Sequence, residues 1–162
     1  MKKLIPTWLL FLSVVYGNSF FLLPDQSSDA LYALKQKIKA AQNSIVLITP
    51  FALDKSLRKA IIKRLPYLDT FTLITSSEKI AGSFAIYKNS DVKLLRSDNV
   101  HNLQMTLLLI DERQGCLSSV GLIKNITRSQ TGIITCSSTS EEIDFYQSVI
   151  RRLDLRSDAY FK

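Results

Sequence analysis

Apolar residues along this chain fall into three patterns, and the changes between them mark its elements. The first is a continuous stretch: residues 4–16 are apolar except for Pro6, Thr7 and Ser13, behind a basic start at Lys2 and Lys3. That layout predicts a signal peptide over residues 1–17, with Val15-Tyr16-Gly17 offering small or tolerated residues for cleavage after Gly17. Phe20-Phe21-Leu22-Leu23 would extend the run to membrane-spanning length, so an anchor over residues 4–23 is the alternative. Asn18-Ser19 interrupts that run, and residues 19–23 read better as a buried strand that ends at Pro24-Asp25.

The second and third patterns, helical spacing and short β-branched runs, alternate over the rest. Leu31, Leu34, Ile38 and Ala41 recur at helical spacing; Ser27 or Ser28 can cap the start, and Lys35, Lys37 and Lys39 lie mostly off the stripe as a solvated face. Residues 44–49 are nearly all β-branched or apolar and are closed by Pro50, which predicts a central strand covered on both faces. Asp54 then caps a second helix with Leu57, Ala60, Ile61 and Leu65 inward, and Pro66 ends it. Residues 70–75 form the next strand, so the first half alternates strand and helix.

Beyond residue 76 the periodicity weakens. Residues 80–87 fit a short helix and 92–96 a strand. Three more strands are predicted at 103–111, 115–122 and 132–136, the first two joined by the turn Glu112-Arg113-Gln114. Thr139-Ser140-Glu141-Glu142 is arranged as a capping box, and Ile143, Tyr146, Val149, Ile150 and Leu153 make the stripe of a last helix. No repeat or linker divides residues 18–162, which read as one domain of ordinary size.

Charge and cysteine change this picture in small ways. Without Lys2 and Lys3 the net charge falls from +7 to +5, a mildly basic balance that favours an anionic partner: nucleic acid, a phospholipid headgroup or an envelope polymer. Simple solubility explains the charge equally well. One histidine and two cysteines make a poor zinc site, so neither metal nor cofactor is expected. If the strands at 115–122 and 132–136 are antiparallel neighbours, pairing Val120 with Gly132 would set Cys116 opposite Cys136, where a disulfide is reasonable in an oxidising compartment.

The chemistry concentrates in residues 104–121. Gln104-x-Thr106, four apolar residues and Asp111, followed by Ser118-Ser119-Val120-Gly121, is laid out like His-x-Lys, four mostly apolar residues and Asp, followed by Gly-Ser-x-Asn. That motif belongs to the phospholipase D-like family, which this chain resembles. Only Asp111 and Ser119 match. Gln104 stands for His, Thr106 for Lys, Ser118 for Gly and Gly121 for Asn. The stretches AAQNSIVLITPFALDKSLRKAI, VKLLRSDNVHNLQMTLLLID and RSQTGIITCSSTSEEIDFYQSVIRRLD are similar, in that order, to the bacterial single-motif members, with Gln130 near a position that is often acidic there.

The resemblance implies a mixed α/β sheet of about seven strands flanked by helices, and two copies paired as a homodimer across a two-fold axis. In that family one His attacks phosphorus, a second His from the paired motif protonates the leaving group, and Lys with Asn or Ser holds the non-bridging oxygens. A carboxamide at Gln104 has no useful basicity and is a very poor nucleophile, and Thr106 carries no cation. Turnover of the family type is therefore not expected. His101 lies ten residues before Asp111 where the motif wants seven, and a three-residue slip reverses the strand face, so it reads as a loop residue. Asp111 and Ser119 also have plain readings, as a turn former and as a small residue in a tight sheet. Ser76-Ser77-Glu78-Lys79 contains a Ser-x-x-Lys string with no accompanying elements.

The leading expectation is an exported, non-catalytic domain of periplasm or envelope, binding an anionic or protein partner. An active phosphodiesterase with non-standard residues and a structural subunit of an envelope complex are the alternatives.

Overall fold

The computed structural model describes residues 18–96 and 103–160. The expected signal peptide at 1–17 and His101 lie outside the described residues. In chain order the elements are β1 (Ser19–Leu23), α1 (Ser27–Ala40), β2 (Ser44–Ile48), α2 (Lys55–Arg64), β3 (Thr70–Thr75), α3 (Glu78–Ala85), β4 (Ser90–Leu95), β5 (Thr106–Ile110), β6 (Gln114–Ser118), α4 (Lys124–Ser129), β7 (Gly132–Ser137), α5 (Ser140–Asp154) and β8 (Ser157–Ala159). A short 3₁₀ turn at Leu65–Tyr67, carrying Pro66, ends α2.

The strands form one mixed sheet in the order β1-β7-β6-β5-β2-β3-β4-β8. β2, β3 and β4 are parallel, as the alternation of strand and helix requires, and every other pairing is antiparallel. The sheet has eight strands where about seven were expected. The additional one is β8: Ser-Asp-Ala has little strand propensity, and it pairs because α5 delivers it to the open edge of β4, with Lys93 opposite Ala159.

The core lies on both faces of the sheet. On one face Leu34, Ile38, Leu57, Ile61 and Phe84 of α1, α2 and α3 pack on Ile45, Leu47, Phe71, Leu73 and Leu108. On the other, Ile143 and Tyr146 of α5 cover Ile48, Ile74, Leu107 and Leu109. Alternate residues of β2 and β5 thus enter different clusters, which is why these strands read as continuous apolar runs. Cys116 and Cys136 are directly paired across β6 and β7 and joined by a disulfide.

Four local expectations need correction. β1 is an edge strand, and Phe20 and Leu22 are 58% and 47% exposed; only its other face, with Leu23, is buried. Neither Ser27 nor Ser28 caps α1; Gln26 takes the cap position, and its side-chain oxygen instead accepts from the Leu22 amide at 2.7 Å. The capping box of α5 does not close: the Thr139 hydroxyl donates to Glu142 at 2.7 Å, while the Thr139 amide donates to the Ser137 hydroxyl at 3.1 Å. Finally, β5 begins at Thr106 and β6 ends at Ser118, so Gln104 and Ser119–Gly121 lie in connecting segments rather than in strands. Among the described residues no helix is long and apolar enough to cross a membrane.

Candidate functional site

The end of the sheet where β5 starts and β6 stops collects most of the motif positions. Thr106 pairs with Ser118 across β5 and β6, so Gln104, two residues before Thr106, and Ser119, one residue after Ser118, belong to the same end. Gln104 is exposed, whereas Thr106 is buried. Its hydroxyl lies 3.2 Å from that of Thr49, the residue that follows β2. Thr49 is fully buried and makes two further bonds, donating to the Phe51 carbonyl at 2.9 Å and accepting from the Phe51 amide at 3.1 Å.

That turn places the Phe51 ring against Gly121. A Cβ at Gly121 would stand 3.0 Å from the ring, so a side chain at the position of the family's Asn would have to displace Phe51. Ser118 closes a small turn of its own, donating to the Val120 carbonyl at 2.8 Å. Ser119 is exposed, but its hydroxyl is committed to β7: it accepts from the Ile133 amide at 3.0 Å, which extends the β6–β7 ladder by one step. Segments 49–51, 104–106 and 118–121 therefore supply hydroxyl, amide and apolar groups and no ionisable side chain. Thr49 and Phe51 were not singled out from the sequence. No local signal marks them, because they reach Thr106 and Gly121 only through the pairing of β2 with β5.

Asp111 is not part of this end. It follows β5, the full length of the strand from Thr106, about 17 Å at the rise of an extended chain. Its φ is +51° and that of Glu112 is +55°, the left-handed pair of a tight hairpin turn, and the Arg113 amide donates back to Ile110 at 3.0 Å. The carboxylate accepts from three successive backbone amides, Gln42, Asn43 and Ser44, at 2.7 to 3.1 Å, and so ties this turn to the start of β2. Its match to the motif is structural. Burial pushes the carboxyl upward, but the amides of Ser44, Asn43 and Gln42 and the Arg113 charge outweigh it and hold it below its ordinary value.

Asp111→Asn is the clean test, because Asn tolerates the left-handed conformation but turns an amide donor toward one of these amides. The expected loss is about 1–2 kcal/mol at neutral pH, given the partial exposure of the group. A carboxyl with a depressed folded pKa stabilises above its unfolded pKa and loses that contribution as pH falls through the folded one. Urea denaturation should therefore show the gap between the two proteins shrinking below about pH 4. A gap that does not change with pH would contradict the assignment.

Among the described residues no group of three or more His, Cys, Asp or Glu side chains could hold a metal ion. Next to the Gly121 segment the structure gathers cations: Lys35 of α1, which the sequence placed on a solvated face, lines one groove with Lys55 and Lys59 of α2 and Arg128 of α4.

No family model and no curated protein sequence matches the chain. Solved structures do. The chain is similar to NucT from Helicobacter pylori, with a TM-score of 0.76 at 19% identity over 89% of this chain and 99% of that one. It is also similar to Nuc from Salmonella typhimurium, a phospholipase D family member, with a TM-score of 0.70 at 11% identity over 90% and 100% of the two chains. Phosphatidylserine synthase from Haemophilus influenzae gives a TM-score of 0.65 at 12% identity, over 89% of this chain and 39% of that one. An eight-stranded mixed sheet between α1–α3 and α5, overlaying nearly the whole of two of these proteins, gives this chain the phospholipase D-like fold.

Proposed function

We propose that this chain is an exported phospholipase D-like domain that binds an anionic or protein partner without hydrolysing it. One observation carries the reading. The two positions at which the motif needs a nucleophilic imidazole and a phosphate-binding cation are Gln104 and Thr106, and the Thr106 hydroxyl is turned into a buried bond with Thr49. A carboxamide cannot form a phosphoryl-enzyme intermediate, and two threonine hydroxyls bonded to one another do not neutralise a phosphate. The disulfide and the apolar N-terminal stretch support an oxidising compartment outside the cytoplasm. Pairing of two copies across a two-fold axis belongs to the same proposal, by likeness of fold alone.

The test is hydrolysis of bis-p-nitrophenyl phosphate and of DNA without added metal. Loss of a nucleophile removes about four orders of magnitude or more of rate, so hydrolysis at least that much slower than by a phosphodiesterase with an intact motif is expected. Metal-independent hydrolysis that His101→Ala abolishes would overturn the reading.

A further inference from the structure

Beside the motif segments, where the Asp54 amide donates to the Leu122 carbonyl at 2.7 Å, charge gathers in one concave place. The groove between α1, α2 and α4 encloses about 580 Å³ and is lined by Lys35, Lys55, Lys59 and Arg128. Lys55 and Lys59 sit one turn apart on α2, a like-charge spacing that opposes the helix rather than stabilising it. None of the four cations makes an ion pair with a described residue. The one acid in the lining is Asp54, whose carboxylate is engaged in capping α2 through the Ser56 amide at 2.8 Å. A surface built only for solubility intersperses the two signs. Here one sign lines a concavity, where low-dielectric walls focus the field on an incoming anion.

The groove also holds an aromatic. Tyr32 is 65% exposed among these cations, and Leu31 beside it supplies apolar lining. Cations for phosphates beside a ring for a base are what a flexible single strand uses. We propose that this groove binds single-stranded nucleic acid, with Lys35, Lys55, Lys59 and Arg128 on the phosphates and Tyr32 stacked against a base. None of these residues belongs to the motif, and the site stands whether or not the strand ends turn anything over.

Fluorescence anisotropy with a labelled oligothymidylate, titrated over a range of salt, tests it. Each phosphate contact contributes about 0.7 to the slope of log affinity against log salt, so Lys35→Ala/Lys55→Ala/Lys59→Ala should flatten the slope by about 2 and weaken binding more than ~10-fold. Tyr32→Ala should weaken binding roughly tenfold without changing the slope. Lys39→Ala/Lys63→Ala/Lys79→Ala, three exposed cations outside the groove, control for net charge. The substituted groups are on the surface, and unchanged circular dichroism melts confirm that each variant is folded. The proposal is overturned if the triple variant or Tyr32→Ala binds like the parent, if the control loses as much as the triple variant, or if a duplex binds equally well. It is also overturned if anionic phosphatidylglycerol vesicles bind through these lysines while the oligonucleotide does not. The two assays read different properties: loss of binding by the groove variants counts against this site, and hydrolysis counts against the non-catalytic reading, so failure of one proposal is distinguishable from failure of the other.

Discussion

Gly115→Ala is expected to destabilise the domain by about 3 kcal/mol, the upper range for forcing a methyl into a packed interior. The Tyr146 ring of α5 lies directly on Gly115 of β6: a Cβ there would stand 2.2 Å and 2.4 Å from two ring carbons, far inside contact distance. The ring cannot swing aside, because Tyr146 is itself buried in the cluster that α5 makes with Ile48, Leu107 and Leu109. Relief must come from lifting α5, and α5 holds down the face of β5 that leads to Thr106. The check is a double-mutant cycle in urea. Tyr146→Ala opens space for the new methyl, so adding Gly115→Ala to it should cost little, and the two losses should fail to add by more than about 1 kcal/mol. Simple additivity would show that the close approach is not what makes glycine necessary here.

Removing the disulfide is the second large effect. Cys116 and Cys136 close a loop of sequence separation 20, and a cross-link of that length restricts the unfolded chain by about 3 kcal/mol. Both residues are buried, so Cys116→Ala/Cys136→Ala avoids placing a hydroxyl in the core. The double variant should unfold at lower urea by that amount, and its midpoint should not respond to reductant. The parent should fall to nearly the same midpoint once reduced. A parent protein whose midpoint does not change on full reduction would remove the bond from the account of stability. The bond also bears on the site, since it locks β6 to β7 close to the step where Ser119 meets Ile133. In a reducing compartment that support would be absent.

Much of the fold was legible because its signals are local. The run at 44–49 gave β2 its central place, since only a strand covered on both faces is apolar at successive positions, and Ile45 and Ile48 enter different clusters. Asp54 was legible as a cap because its partner, the Ser56 amide, is two residues away. β8 and α4 were not, having neither strong propensity nor a long stripe. The exposure of Phe20 and Leu22 was hidden for a different reason: an edge strand and a central one carry the same residues until the strand order is known.

The candidate site divides in the same way. The sequence by itself determined the order of the strands and helices other than α4 and β8, and that a carboxamide and a hydroxyl stand at 104 and 106, where the motif it resembles has an imidazole and an ammonium. Only the tertiary structure decided that Thr106 meets Thr49, that Asp111 serves backbone amides at the far end of β5, and that cations at 35, 55, 59 and 128 share one groove. Periodicity records whether a side chain faces the core or water, and that depends on a few neighbours along the chain. Which side chains meet depends on strand order and register, and those are set by burial across the whole sheet at once.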